Sequence, residues 1–143
     1  MNFKLLSCAA IVSTAVLATA ASANDQPQWT SAGLLVAPNG MTLYTFDKDS
    51  ANKSACVGGC LAVWPAMVAR DAATLKAPYT AIARDDGSQQ VAFQGKPLYL
   101  YAADQKAGDA TGDKSGGVWH AVRQAAKTRA TPSTSGGYEP KTY

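Results

Sequence analysis

The sequence predicts a small, mainly β domain, antiparallel in its pairing and built from two tandem repeats with pseudo-twofold symmetry. Three observations carry that prediction. Ten residues return at an offset of 55: Val36, Ala37, Gly40, Leu43, Tyr44, Asp49, Ala55, Val63, Trp64 and Ala66 recur as Val91, Ala92, Gly95, Leu98, Tyr99, Asp104, Ala110, Val118, Trp119 and Ala121. About two identities are expected by chance over that span at average amino-acid usage. Short runs rich in β-branched and aromatic residues alternate with Gly, Pro, Asn and Asp turn signals. Finally, the longest amphipathic helical candidate is the brief stretch from Asp71 to Lys76.

In chain order, the first element is a leader. One charge at Lys4 precedes an Ala-rich apolar stretch ending in Ala21-Ser22-Ala23, the small-x-small form cut by signal peptidase. Residues 1–23 are therefore expected to be a cleaved signal peptide. The run is too diluted with Ala, Ser and Thr for a bilayer span of ~20 strongly apolar residues, so no transmembrane segment is expected after cleavage. Cys8 lies before the apolar region instead of after it, which argues against lipidation there. The expected location is periplasmic or secreted.

The mature chain, residues 24–143, forms one domain over 24–123, with repeats at about 33–70 and 79–123 and a flexible, Thr/Ser/Pro/Gly-containing tail over 124–143. In the first repeat Leu34-Leu35-Val36, the Pro38-Asn39-Gly40 turn and Leu43-Tyr44-Thr45-Phe46 read as strand, turn, strand, with Asn-Gly supplying positive φ. In the second, Gln90 to Phe93 and Leu98 to Tyr101 flank Gln94-Gly95-Lys96-Pro97, preceded by an added strand from Tyr79 to Arg84. Both hairpins run as Gly-x-x-Leu-Tyr-x-(Phe/Tyr)-x-x-Asp, from Gly40 to Asp49 and from Gly95 to Asp104. A polar loop then leads to Val63-Trp64 or Val118-Trp119, each opening a third strand or a turn into one, and Cys60 to Trp64 forms one helical turn ended by Pro65. A copy of about 31 residues is below the ~40 at which an unaided core usually fails, so the copies are expected to pack as one unit.

Charge excludes one class of partner. Thirteen Lys plus Arg face ten Asp plus Glu over the whole chain, and Lys4 leaves with the leader, so no field suited to nucleic acid remains.

Cys56 and Cys60 are the cysteines of the mature chain, and an oxidising compartment favours a disulfide between them. A redox-active pair is the alternative, but Cys-x3-Cys is not the Cys-x-x-Cys whose helix N-terminus lowers a thiol pKa. His120 is the single histidine and the low-ranking metal candidate, with Met41, Met67 or the cysteines as partners for a soft copper or haem site. No cofactor is expected. The loop from Gly108 to Gly117 has Asp113 where a phosphate-binding Gly-Lys-Ser needs its Gly. Its Asp104, Asp109 and Asp113 fit no standard calcium spacing, so a solvated turn is the favoured reading. For the repeated set two readings stand: Tyr44 and Tyr99 bury their rings and bond the opposite copy's backbone or Asp while Asp49 and Asp104 cap turns, or the aromatics form an exposed binding platform. No order of nucleophile, base and flanking glycines suggests covalent catalysis.

Tyr44-x-Phe46-x-x-Asp49 and Tyr99-x-Tyr101-x-x-Asp104 resemble the Tyr-x-(Phe/Trp/Tyr)-x-x-Asp signature of a bacterial family of secreted repeats, often called predicted lipoproteins. The resemblance runs from about Gly33 to Arg123 and includes the Cys56-x-Gly-Gly-Cys60 loop, Trp64-Pro65 and the Gly-rich loop before Trp119. It implies an extracytoplasmic domain of paired repeats and no established activity. The reading is therefore an exported envelope domain with a non-enzymatic binding or structural role, toward an envelope partner or small ligand. The alternative is an accessory redox or metal- or haem-handling protein.

Overall fold

The computed structural model describes residues 25–125. The expected leader, Cys8 and all but the first two residues of the expected tail lie outside them. Seven short strands carry the fold: β1 (Gln28–Trp29), β2 (Leu35–Val36), β3 (Tyr44–Phe46), β4 (Tyr79–Ala83), β5 (Gln89–Phe93), β6 (Lys96–Pro97) and β7 (Trp119–Ala121). One helical turn, α1 (Cys60–Val63), follows the cysteine loop. Pairing is antiparallel throughout: β1 with β2, β3 with β7, and β4 with β5 and β5 with β6.

The third strand of each repeat is handed to the other. Met67, after Trp64, donates its N–H to Leu98 O (2.9 Å) and accepts from Val91 N (2.7 Å), while Leu98 N donates to Val91 O (2.9 Å). Val122, after Trp119, does the same in the first repeat: it donates to Leu43 O (2.9 Å), accepts from Leu35 N (2.9 Å), and Leu43 N donates to Leu35 O (3.0 Å). Each half thus closes a three-residue ring of backbone hydrogen bonds with a strand from its neighbour. Because these amides are deeply buried, each needs such a partner. Leu35, Leu43, Val91 and Leu98 are wholly inaccessible, and Met67 is nearly so.

Those rings also correct the gap-free repeat. After the turn the offset is 55, pairing Leu43 with Leu98; before it, Leu35 takes the place of Val91, an offset of 56. The cause is the hairpin. In the second repeat Gln94 and Gly95 both have positive φ, 51° and 78°, making a two-residue connection between Phe93 and Lys96. In the first, of the two turn residues Asn39 and Gly40 only Gly40 is positive, at 83°; Ala37 N donates to Met41 O, and Asn39 Oδ1 accepts from Met41 N, so the loop is one residue longer.

Two further expectations change. The strand at Tyr79 is not peculiar to the second repeat, because β1 stands against β2 as β4 stands against β5; β1 is only a shorter version. The Asp71–Lys76 stretch forms no α-helix but one 3-10 turn, Ala72–Thr74, with the Asp71 carboxylate accepting from Ala73 N. Just before it, the buried Asp25 carboxylate accepts from Arg70 N (2.6 Å), Asp71 N (2.9 Å) and Arg70 Nε (2.9 Å), tying the segment that precedes β1 to the inter-repeat junction.

The apolar side chains divide into two clusters, and each draws on both repeats. One gathers Leu35, Ala37, Leu43, Met67, Ala69, Tyr79, Val91 and Leu98. The other is aromatic, around Tyr44, Trp64, Tyr99 and Trp119, with Leu34, Cys56 and Ala121.

Candidate functional site

Strand alternation places Tyr44 and Phe46 on the same side of β3, facing the aromatic cluster. Tyr44 N donates to Tyr99 O (2.9 Å) and Tyr99 N to Tyr44 O (3.0 Å), so the local twofold axis passes between the two residues, both wholly buried. Their hydroxyls also cross the axis. Tyr44 donates to Asp104 Oδ2 at 2.6 Å, and Tyr99 donates to Asp49 Oδ1 at 3.1 Å.

Each aspartate in turn organises the loop that follows it. Asp49 N donates to Phe46 O and Asp104 N to Tyr101 O, both at 3.1 Å, closing equivalent turns. Asp49 Oδ1 also accepts from Ala55 N (2.7 Å), and Asp104 Oδ1 accepts from Thr111 N (3.0 Å) and the Thr111 hydroxyl. These carboxylates satisfy backbone donors that a polar loop would otherwise leave to water. Burial pushes the Asp49 carboxyl up, against the pull of Ala55 N, Tyr99 and Arg84; its Oδ2 is buried and makes no hydrogen bond.

Four rings stack between the repeats in the order Phe46, Trp119, Trp64, Tyr101. Phe46 and Trp119 lie 4.2 Å apart at 13°, the two tryptophans 3.9 Å apart at 5°, and Trp64 and Tyr101 4.4 Å apart at 28°. Tyr44 meets Trp64 edge-on at 5.3 Å, and Tyr99 meets Trp119 edge-on at 5.2 Å. Trp64 and Trp119 are almost fully buried, while Phe46 and Tyr101 are half-buried. The repeated aromatics are thus core with two open ends, and not a flat exposed platform.

The hydroxyl environments differ. Burial pushes the Tyr44 phenol far above its ordinary value, and the Asp104 carboxylate adds to the effect. Its oxygen also accepts from Gly112 N (3.3 Å). Tyr99 is pushed up to about 12, again chiefly by burial, but it also lies 2.6 Å from Ser54 Oγ. Ser54 receives Arg84 Nη1 (2.7 Å), which also donates to Gln90 Oε1, while Arg84 Nη2 donates to Cys56 O (2.8 Å). The Arg84 side chain is only 5% exposed, an ion kept in the interior by these acceptors and by Asp86 at 3.8 Å.

Cys56 and Cys60 form a disulfide with their Cα atoms 5.4 Å apart. It closes the loop that feeds α1 and Trp64, and Cys56 is itself in the aromatic cluster. His120 lies on the outer side of β7, half-exposed, its Nε2 2.8 Å from Asp47 Oδ2. Met67 belongs to the other apolar cluster, and the cysteines are bonded to each other, so those proposed partners of His120 are committed elsewhere. Among the described residues no three His, Cys, Asp or Glu side chains gather as a metal site. Asp104, Asp109 and Asp113 each bind their own backbone: Asp109 accepts from Gln105 N and Lys106 N, and Asp113 from Ala121 N.

Arg84, Ser54, Gln90 and Gly112 had no signal in the sequence as parts of this site. Arg84 precedes the Asp85-Asp86-Gly87 turn, where a cation reads as solvated. Gly112 reads as one of several loop glycines, yet a Cβ there would lie 2.7 Å from Trp64 and 2.9 Å from Tyr101. Beside the Phe46 end opens a cleft of about 270 Å³, bordered by Phe46, Asp47, Asp49, Gln94 and Lys96.

No curated protein and no solved structure matches the chain. A family model does, over residues 19–67 and again over 80–123, and its description is a secreted repeat of unknown function. The two matches together take in both Tyr-to-Asp motifs, Trp64 and Trp119. The chain belongs to that family of secreted repeats.

Proposed function

We propose that the protein is an exported, non-enzymatic module of the cell envelope whose repeated motif maintains a paired-repeat scaffold for binding. One observation carries this reading: the chemistry-bearing residues are consumed by the fold. Tyr44 and Tyr99 spend their hydroxyls on Asp104 and Asp49, whose carboxylates also hold their own loops. A catalytic pair needs a reachable group beside its base, whereas these are buried against each other. The disulfide suits an oxidising compartment, and no helix among the described residues is long and apolar enough to cross a membrane.

Native mass spectrometry of protein recovered from a periplasmic extract tests this in one spectrum. The expected species begins at Asn24 with the Cys56–Cys60 bridge intact and carries no stoichiometric metal or haem. A retained leader, free thiols or a bound metal or haem would displace this reading toward the redox or metal-handling alternative.

A further inference from the structure

β4 is the outer strand of the second repeat's sheet, paired with β5 on one side and with no strand among the described residues on the other. Which of its backbone groups face outward follows from the ladder. Arg84 N donates to Ser88 O and Gln94 N to Pro78 O, so the even-numbered residues carry the bonds to β5, while Tyr79, Ala81 and Ala83 turn theirs away. Tyr79 N is taken by Lys76 O. The N–H groups of Ala81 and Ala83 and the carbonyls of Tyr79, Ala81 and Ala83 have no hydrogen-bond partner among the described residues.

Proteins guard such an edge with a charge, a proline, a bulge or extreme shortness, because its open groups are a template for another strand. β4 has none of these guards: Tyr-Thr-Ala-Ile-Ala is uncharged, free of proline, five residues long and continuous in register with β5. The corresponding strand of the first repeat, β1, is cut to two residues. Thr80 and Ala83 are exposed, so the β4 edge can be reached. We propose that this edge binds the same edge of a second copy of the chain, joining two molecules in an antiparallel β4-to-β4 pair about a twofold axis at Ala81.

What singles out a second copy is self-complementarity. With Ala81 on the axis, the two Ala81 residues exchange both backbone bonds, and each Ala83 N–H meets the Tyr79 carbonyl of the other copy. The committed Tyr79 N–H falls opposite only the Ala83 carbonyl, which water serves at that exposed end. Thr80 then stands directly opposite Ile82 of the second copy, a close pair of β-branched side chains. Beyond the strand ends the same register sets Lys76 against Asp86 of the second copy, so unlike charges meet. A pairing centred on Ala83 would instead bring both Asp85-Asp86 turns beside the axis, like charge near like. Because the contact uses the same patch on both molecules, it closes at two copies and does not grow into a fibre.

The test is a concentration series of the chain of residues 24–143, followed by sedimentation velocity and amide NMR. A contact made by one strand is smaller than a standard interface, so a reversible dimer is expected with a dissociation constant between about 10 µM and 1 mM. Across that range the amides of Ala81 and Ala83 should shift and exchange more slowly with solvent. In mixed labelled and unlabelled protein, the Thr80 Hα should show a nuclear Overhauser contact to Ile82 of the other copy. Ala81→Pro removes the donor on the axis while sparing the bonds to β5, and should weaken the dimer roughly tenfold or more. If that variant gives no dispersed amide spectrum, Thr80→Lys decides: it sets an ammonium against Ile82 of the second copy and should weaken the dimer by a similar factor. A monomer up to about 1 mM, a dimer to which these amides do not respond, or a dimer that the folded variant leaves unchanged would overturn the proposal. Protection of both amides already at the lowest concentration would put another segment of the same chain on the edge, and would overturn it as well.

Discussion

Tyr44 and Tyr99 exchange both backbone hydrogen bonds with each other, and each sends its hydroxyl to the aspartate of the other's repeat. The family motif therefore works across the repeats. Its tyrosine and aspartate are paired in space as Tyr44 with Asp104 and Tyr99 with Asp49, never within a single copy.

Removing one hydroxyl should be costly in proportion to that burial. Tyr44→Phe leaves Asp104 with an unanswered oxygen and should lower stability by about 1.5–3 kcal/mol, the usual range for a hydrogen bond to a charged group. Tyr99→Phe should cost about 1 kcal/mol, since its Asp49 contact is longer and Ser54 retains Arg84. Urea denaturation at neutral pH measures both, and equal costs would show that the 2.6 Å contact has no special weight.

The ring stack predicts that two distant sequence positions behave alike. Trp64→Ala and Trp119→Ala each remove a nearly buried indole from the centre of the stack and should each cost about 3–5 kcal/mol. Either change should also abolish the coupled near-ultraviolet circular dichroism of the indole pair. An unaltered melt for either variant would contradict their place in the core.

Gly112 offers the opposite experiment, adding one methyl group. Its Cβ would meet Trp64 at 2.7 Å and Tyr101 at 2.9 Å, so Gly112→Ala should destabilise by about 1–3 kcal/mol through overpacking. Gly59→Ala, where a Cβ meets nothing within 4 Å, is the control and should be nearly neutral. Thermal denaturation of the pair distinguishes steric conflict from a general intolerance of these loops.

Acid stability should divide between two aspartates. The Ala121 amide, with Arg123 also contributing, holds the Asp113 carboxyl below its ordinary 3.8. The folded chain then binds fewer protons there than the unfolded one, so this contribution is complete above pH 3.8 and disappears as pH falls through the lowered folded value. Asp49 has the reverse sign: burial raises it, and its contribution grows as pH falls through the raised value. Asp113→Asn should therefore flatten the acid limb of the stability profile, and Asp49→Asn should steepen it. Parallel urea titrations across the acid range check the two slopes.

Much of this fold was legible because it repeats. The β class, both hairpins, the helical turn at Cys60 and the grouping of the aromatics follow from residue pattern. The exchange of third strands was not legible. Met67 presents the same sequence whether its strand pairs with its own hairpin or the neighbour's, and only the path of the chain between Asp49 and Ala66 decides. The one-residue difference in hairpin length was hidden by chance identities, since Val36 and Ala37 match Val91 and Ala92 in letter but not in place. At the site, Tyr44, Tyr99 and the aspartates were visible as a motif. The Arg84–Ser54 support was not, because nothing local distinguishes a buried arginine from one beside a solvated turn.

The central claim is that neither repeat completes its own sheet, since Met67 serves the second hairpin and Val122 the first. Three-stranded pieces of this kind need another surface to bury an apolar face. The most direct measurement is to cut a chain of residues 24–143 between Asp71 and Pro78 and record amide NMR spectra of each fragment alone and of the two mixed. The account predicts that both fragments are disordered alone and give dispersed spectra when mixed. A dispersed spectrum with a cooperative melt from either fragment alone, at concentrations where it is monomeric, would contradict it.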